Sequence, residues 1–195
     1  MWFGDDRFPQ NDTFLLRRAE PSIEGSWGSL LGFRLAAQLA GDTATVLDAY
    51  ADLKFDPRAS VRLGRFKTPL GLERLQSSSS TEAIELGFPS ELAPGRDIGV
   101  QLQGEFPSGV SYALGAFNGA ADGRDGVTSN PDSDLEVAAR LFFEPWKNDA
   151  NALSGLGFGI AATTGDKHGN GSNFLPRYRT PGQVQVFNYV SDGNA

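Results

Sequence analysis

Apolar and polar side chains alternate with a period of two along most of this chain, and that period limits the fold more than any other property. Leu31, Phe33, Leu35, Ala37 and Leu39 form one row, with Gly32, Arg34, Ala36 and Gln38 between them. Leu47, Ala49, Ala51, Leu53 and Phe55 stand opposite Asp48, Tyr50, Asp52 and Lys54. The pattern returns at Ile98–Gln103, at Leu135–Phe143 and, with glycines as partners, at Leu156–Ala162. Successive side chains of a strand point to opposite faces, so each segment predicts a strand with one oily and one polar face.

Counting a clipped strand at Trp2 and Phe3, there are roughly ten segments of about ten residues, the length that crosses a bilayer as a tilted strand. The connections Ser26–Ser29, Asp56–Ala59, Pro107–Gly109 and Trp146–Ala152 are short, and those between them are mostly long, with Gly41–Thr43 the exception. Short turns at one end and long loops at the other are the habit of an outer-membrane barrel. In that arrangement the apolar rows face lipid, while Gln38, Asp48, Lys54, Gln101, Gln103 and Arg140 face water inside. Phe55, Phe106, Phe143 and Trp146, near strand ends, fall at the interfaces. The same alternation also describes a soluble β-sandwich with one face on its core. Long strands and asymmetric loops favour the barrel.

Composition agrees with an all-β chain: 24 glycines and 14 phenylalanines stand against a single methionine and no cysteine in 195 residues. The absence of cysteine removes disulfides, thiolate metal sites and thiol nucleophiles. A net charge of -7 argues against a non-specific nucleic-acid partner. No apolar run is long enough for a membrane helix, and Met1–Phe8 carries no signal-like segment.

Between the strands Ser60–Phe66 and Asp97–Phe106 lies a connection of roughly thirty residues, a length that in compact domains usually serves a function. It begins with Gly64–Ser80, which supplies Lys67, Arg74 and the serines Ser77–Ser80. Fixed positive charge beside hydroxyl donors suits an oxyanion that must be bound and released. By alternation Arg18 and Arg34 lie on the polar faces of adjacent strands, close across the wall. Arg17 has the opposite parity and is set towards lipid headgroups or a neighbouring subunit. His168 falls in a Gly/Asn-rich loop, and Glu73, Glu82 and Glu85 have neither a nucleophile nor a recognisable metal spacing near them. The expectation is a non-enzyme without cofactor or metal.

Several ordered blocks carry a family resemblance: Phe14–Gly25, Leu47–Phe55, Val61–Ser80, Ala93–Phe106 and Tyr112–Ala120. In them the chain resembles the phosphate- and polyphosphate-selective porins of Gram-negative outer membranes, the porin O and P family. The resemblance implies one barrel domain over residues 1–195, about ten strands out of about sixteen, truncated at both ends and trimeric when complete. It implies that residues 67–96 fold into the lumen as the constriction. The family's loop motif sets a basic residue ahead of a serine pair, here Arg74, Ser77 and Ser78. Asp48 matches an acidic position facing the constriction, which would temper the hold of neighbouring arginines, or simply pair with one of them. With Arg18, Arg34 and Lys67 these residues form the expected anion-binding lining. The implied partners are phosphate or polyphosphate and outer-membrane lipid, and the implied activity is passive diffusion. The alternative from another class is a soluble or surface β-sheet binding module.

Overall fold

The computed structural model describes residues 16, 18–40, 44–77, 86–119, 133–166, 177–179 and 185–188. Eight strands follow one another as β1 (Ser22–Trp27), β2 (Leu31–Gln38), β3 (Thr45–Asp56), β4 (Ala59–Lys67), β5 (Arg96–Glu105), β6 (Val110–Phe117), β7 (Glu136–Phe143) and β8 (Phe158–Thr164). Each pairs antiparallel with its neighbour in sequence, giving a single meander in the order β1 to β8. The sheet is not closed: among the described residues β1 and β8 each pair along one edge only. Two further strands, β9 (Arg177–Arg179) and β10 (Gln185–Asn188), form a separate hairpin. The expected all-β antiparallel architecture is therefore present.

Alternation works as the sequence requires. Tyr50, Gly64, Gly99 and Phe117 succeed one another across β3 to β6 on one face, as do Asp52, Arg62, Gln101 and Gly115. The opposite face carries Ala51, Leu63, Val100 and Ala116 in register, and farther round Leu114, Ala139 and Ala162. Many of the large apolar residues of this second face are exposed, Leu63 at 39%, Ile160 at 73% and Trp27 at 82%. No second layer covers them among the described residues. A β-sandwich would bury that face, whereas a barrel wall turns it to lipid.

One register detail departs from simple alternation. Ala36 pairs with Asp48 but Ala37 pairs with Val46, so Leu47 is the extra residue of a bulge. Leu47, expected on the lipid-facing row, is instead buried beside Asp48, and Val46 is exposed in its place. Gly64 marks a second special point: its φ is +124°, and a Cβ there would lie 2.2 Å from the Ala49 carbonyl oxygen. Only glycine lets β3 and β4 approach so closely.

The turns at the short-loop end are laced together. Glu105 N donates to Pro57 O at 3.0 Å, Glu144 N to Gly109 O at 2.9 Å, and the Tyr112 hydroxyl to Arg58 O at 2.8 Å. Phe55, Phe106 and Phe143 gather at this same end, where a barrel sets an aromatic girdle.

The buried core is small and lies on the inner face. Phe66 and Phe117, both essentially inaccessible, meet edge-on at 5.5 Å, and Tyr50 meets Phe66 at 6.0 Å. Leu70 from the long connection completes the cluster with Ala138, and Ala93 packs against it from the returning end. These apolar residues sit on the otherwise polar face, so both ends of the connection must lie over that face to cover them.

Candidate functional site: a basic cavity on the inner face

The connection between β4 and β5, residues 68–95, contains two single-turn helices, α1 (Leu72–Leu75) and α2 (Phe88–Glu91). Its base is closed by the Thr68 amide on Gly95 O at 3.0 Å and by the Thr68 hydroxyl on Pro94 O and Gly95 O at the same distance. Thr68 is buried, so these bonds form with little competition from water.

Above the aromatic cluster, residues of the connection and of six strands, β2 to β7, enclose a cavity of about 380 Å3. Arg34, Arg62, Lys67, Arg96 and Arg140 line it, against the carboxylates Glu20 and Asp48. Gln101 and Gln103 complete the polar wall, and Leu75 and Ser77 come from the connection. Arg62 and Gln103 also border a second cavity of about 610 Å3, where Lys54 and Asp56 lead towards the short-turn end. Polar lining therefore continues along the inner face, although the chain as a whole is acidic.

The charges form two paired groups and a remainder. Asp48, 6% exposed, accepts from Arg96 Nε at 2.8 Å and from Arg34 Nε at 3.3 Å. Arg34 also pairs with Glu24 through Nη1. Asp52 accepts two bonds from Arg62, from Nε at 2.7 Å and from Nη2 at 2.9 Å, a fork that fixes the guanidinium plane. The same guanidinium lies 4.0 Å over the Tyr50 ring and 5.5 Å from Phe66. Lys67 and Arg140 make no ion pair among the described residues. The Lys67 ammonium donates to the Gln76 carbonyl at 2.6 Å, and Arg140 lies 5.0 Å over the Phe142 ring.

The residues expected from sequence fall into this geometry unevenly. Arg34, Asp48, Lys67 and Ser77 line the same cavity. Arg74 points elsewhere: its Nη2 donates to the Ser90 carbonyl on α2. Arg18 does not stand across from Arg34. The register puts Glu24 opposite Arg34, and Arg18 lies exposed ahead of the strand, beside the point where Ala19 N donates to Gln38 Oε1. Ser78, Arg17 and His168 lie outside the described residues, as do Ser79, Ser80, Glu82 and Glu85.

Arg62, Arg96 and Arg140 join the cavity without having been singled out as site residues. Parity alone identifies Arg62, which shares the inner face with Asp52, and Arg140, which lies across from Ala113. Arg96 has the outward parity of Ile98, and reaches Asp48 because the β4–β5 pair ends where the connection turns over the inner face. Lys67, its cross-strand partner, follows the same path.

On α1, Glu73 turns away from this basic group. Its carboxylate accepts the Ser90 hydroxyl at 2.8 Å and the Gly87 amide at 3.0 and 2.9 Å. Those bonds, the Ser90 hydroxyl first and the Gly87 amide second, hold the Glu73 carboxyl below the usual carboxylate range.

An inner face crowded with guanidinium groups, both ends of a long connection lying over it and an exposed apolar outer face are what the wall of a polar-lined β-barrel requires. A search of the curated proteins returns no match. The family model for phosphate-selective porin O and P, however, matches residues 3–187, which takes in every strand of the sheet and the whole connection. On that coverage the chain belongs to the phosphate-selective porin O and P family.

Proposed function

We propose that this protein forms an anion-selective channel of the outer membrane, through which phosphate and polyphosphate pass by diffusion. Residues 67–96 act as the constriction, and the apolar outer face meets lipid or, in a trimer, a neighbouring barrel. The observation that carries the reading is the basic cavity between that connection and the inner wall. Phosphate must exchange part of its hydration for donors it can leave again. Arg34, Arg62 and Arg96 supply planar forks already restrained by carboxylates, so little side-chain freedom is lost when an anion arrives. Lys67 and Arg140, without a carboxylate partner among the described residues, supply charge, and Ser77 adds a hydroxyl. Ser78, matched on the family's loop motif, extends the donor set along the connection, and Arg74 of the same motif adds its positive charge while its Nη2 is held on the Ser90 carbonyl. Asp48 weakens the hold of Arg34 and Arg96 and favours exit. Arg18 stands at the approach and draws anions inward. Catalysis has no part in this reading.

The test is the reversal potential of the protein in a planar bilayer under a salt gradient. The unsubstituted channel is expected to prefer anions, and Lys67→Glu to abolish that preference, since it replaces the positive charge at the connection's base with a negative one. Equal permeability to cations and anions in the unsubstituted channel would overturn the proposal.

A further inference from the structure

We propose that Glu73 is a positioning residue: it fastens α1 to the returning limb of the connection and thereby sets how firmly the cavity holds phosphate. This rests on the channel reading above and goes beyond it, because Glu73 does not itself face the anion.

A carboxylate in a passage for anions repels the cargo unless its charge is occupied. Here it meets the Gly87 amide at 3.0 and 2.9 Å and the Ser90 hydroxyl at 2.8 Å. The next residue, Arg74, donates to the Ser90 carbonyl, so two adjacent side chains of α1 grip the segment that opens α2. Helix α1 is a single turn without a side-chain cap, and a turn that short does not hold its own orientation. Contacts outside the helix must therefore orient it. The seat is close: a Cβ added at Gly87 would lie 3.3 Å from Glu73 Oε2.

What α1 carries explains why its orientation matters. Leu75 and Ser77 line the cavity, and between them the Gln76 carbonyl receives the Lys67 ammonium at 2.6 Å. Release of Glu73 would let this stretch shift and would remove the acceptor that holds Lys67 in place. Donors placed loosely bind an anion less well than donors fixed in advance.

The experiment separates positioning from simple charge by its sign. In the full chain, Glu73→Ala removes one negative charge, so counting charges alone predicts tighter phosphate binding. Positioning predicts the reverse. We expect the phosphate concentration that half-blocks chloride current to rise about tenfold, a loss typical of removing a contact that supports a ligand shell. Ser90→Ala, which changes no charge, should move it in the same direction by less. Amide exchange at Gly87 in the detergent-purified protein should quicken in Glu73→Ala. A half-blocking concentration that falls or stays constant in Glu73→Ala, or Gly87 protection that does not change, would overturn the proposal. Loss of anion preference in the unsubstituted protein would instead refute the channel reading, and Gly87 exchange would still decide whether the fastening exists.

Discussion

Asp48→Asn tests the proposed balance between binding and release most directly. Asparagine keeps the size and one acceptor of the carboxylate, so the bulge at Leu47 and the packing around it are retained. The charge is lost. Asp48 lies 2.8 Å from Arg96 Nε, and an anion on the other side of that guanidinium adds a second charge-assisted contact of about 2.8 Å, which sets it about 6 Å from the carboxylate. At that separation one unit of like charge costs a monoanion about 0.7 kcal/mol in a water-like medium and about 2.8 kcal/mol at an effective dielectric of 20. Those limits correspond to roughly threefold and hundredfold in affinity. The Arg34 and Arg96 side chains keep 33% and 18% of their surface open, so water and salt screen the interaction and the effect belongs near the lower limit. The assay is the block of chloride current by added phosphate in single channels. In Asp48→Asn the half-blocking concentration should fall about threefold to tenfold and the limiting phosphate flux should fall with it, the more so at low salt. A rise would show that the carboxylate acts mainly as a tether for the two arginines, and the argument from repulsion would fail.

Two further substitutions address the frame that holds the cavity. Leu141, in register with Tyr112 and Ile160 on the outer face, should tolerate Arg poorly: about 2–4 kcal/mol of stability lost if it lies at the bilayer midplane, and less towards an interface. Denaturant unfolding in lipid vesicles measures this, and an unchanged midpoint would count against a lipid-facing row. Phe66→Ala removes the ring on which Leu70, Phe117 and Tyr50 converge and should cost about 3–5 kcal/mol. Because Leu70 belongs to the connection, the same variant should conduct more than the parent; an undiminished constriction would mean that the connection is held elsewhere.

Strand content and facing were legible because burial here has one period. The residues of β2 and β3 could be assigned inward or outward by counting from Arg34, except across the bulge at Leu47, which no local pattern announces. Leu47 and Val46 differ little in chemistry, and it is the register between β2 and β3 that decides which is buried. The cavity was legible in part for the same reason. Arg34 and Asp48 follow from parity, but Arg96 contradicts its own parity and reaches Asp48 only because the connection bends over the sheet. Arg18 shows the converse error: parity was right as far as it went, yet register placed Glu24 opposite Arg34. The grip of Glu73 and Arg74 on α2 was invisible for a third reason. It joins residues fourteen and sixteen positions apart in a segment with no periodicity to read.

The pairing of charges bears on how such a wall can be selective without becoming a trap. Arg62 is the most restrained of the group, forked onto Asp52 and stacked on Tyr50, so its N–H directions are fixed whether or not an anion is present. Arg34 and Arg96 share one carboxylate, and each can lean from Asp48 towards an anion as the other takes up the shared acceptor. Lys67 and Arg140 make no ion pair among the described residues, so their charge is offset less directly. An anion moving along this face would thus exchange a strongly attracting cation for one whose attraction is already partly spent. Neighbouring sites of unequal strength, with donors that do not need to be reorganised, keep each step shallow. The acidic total of the chain is no contradiction, because Asp48, Asp52 and Glu24 lie directly against the arginines whose hold they moderate.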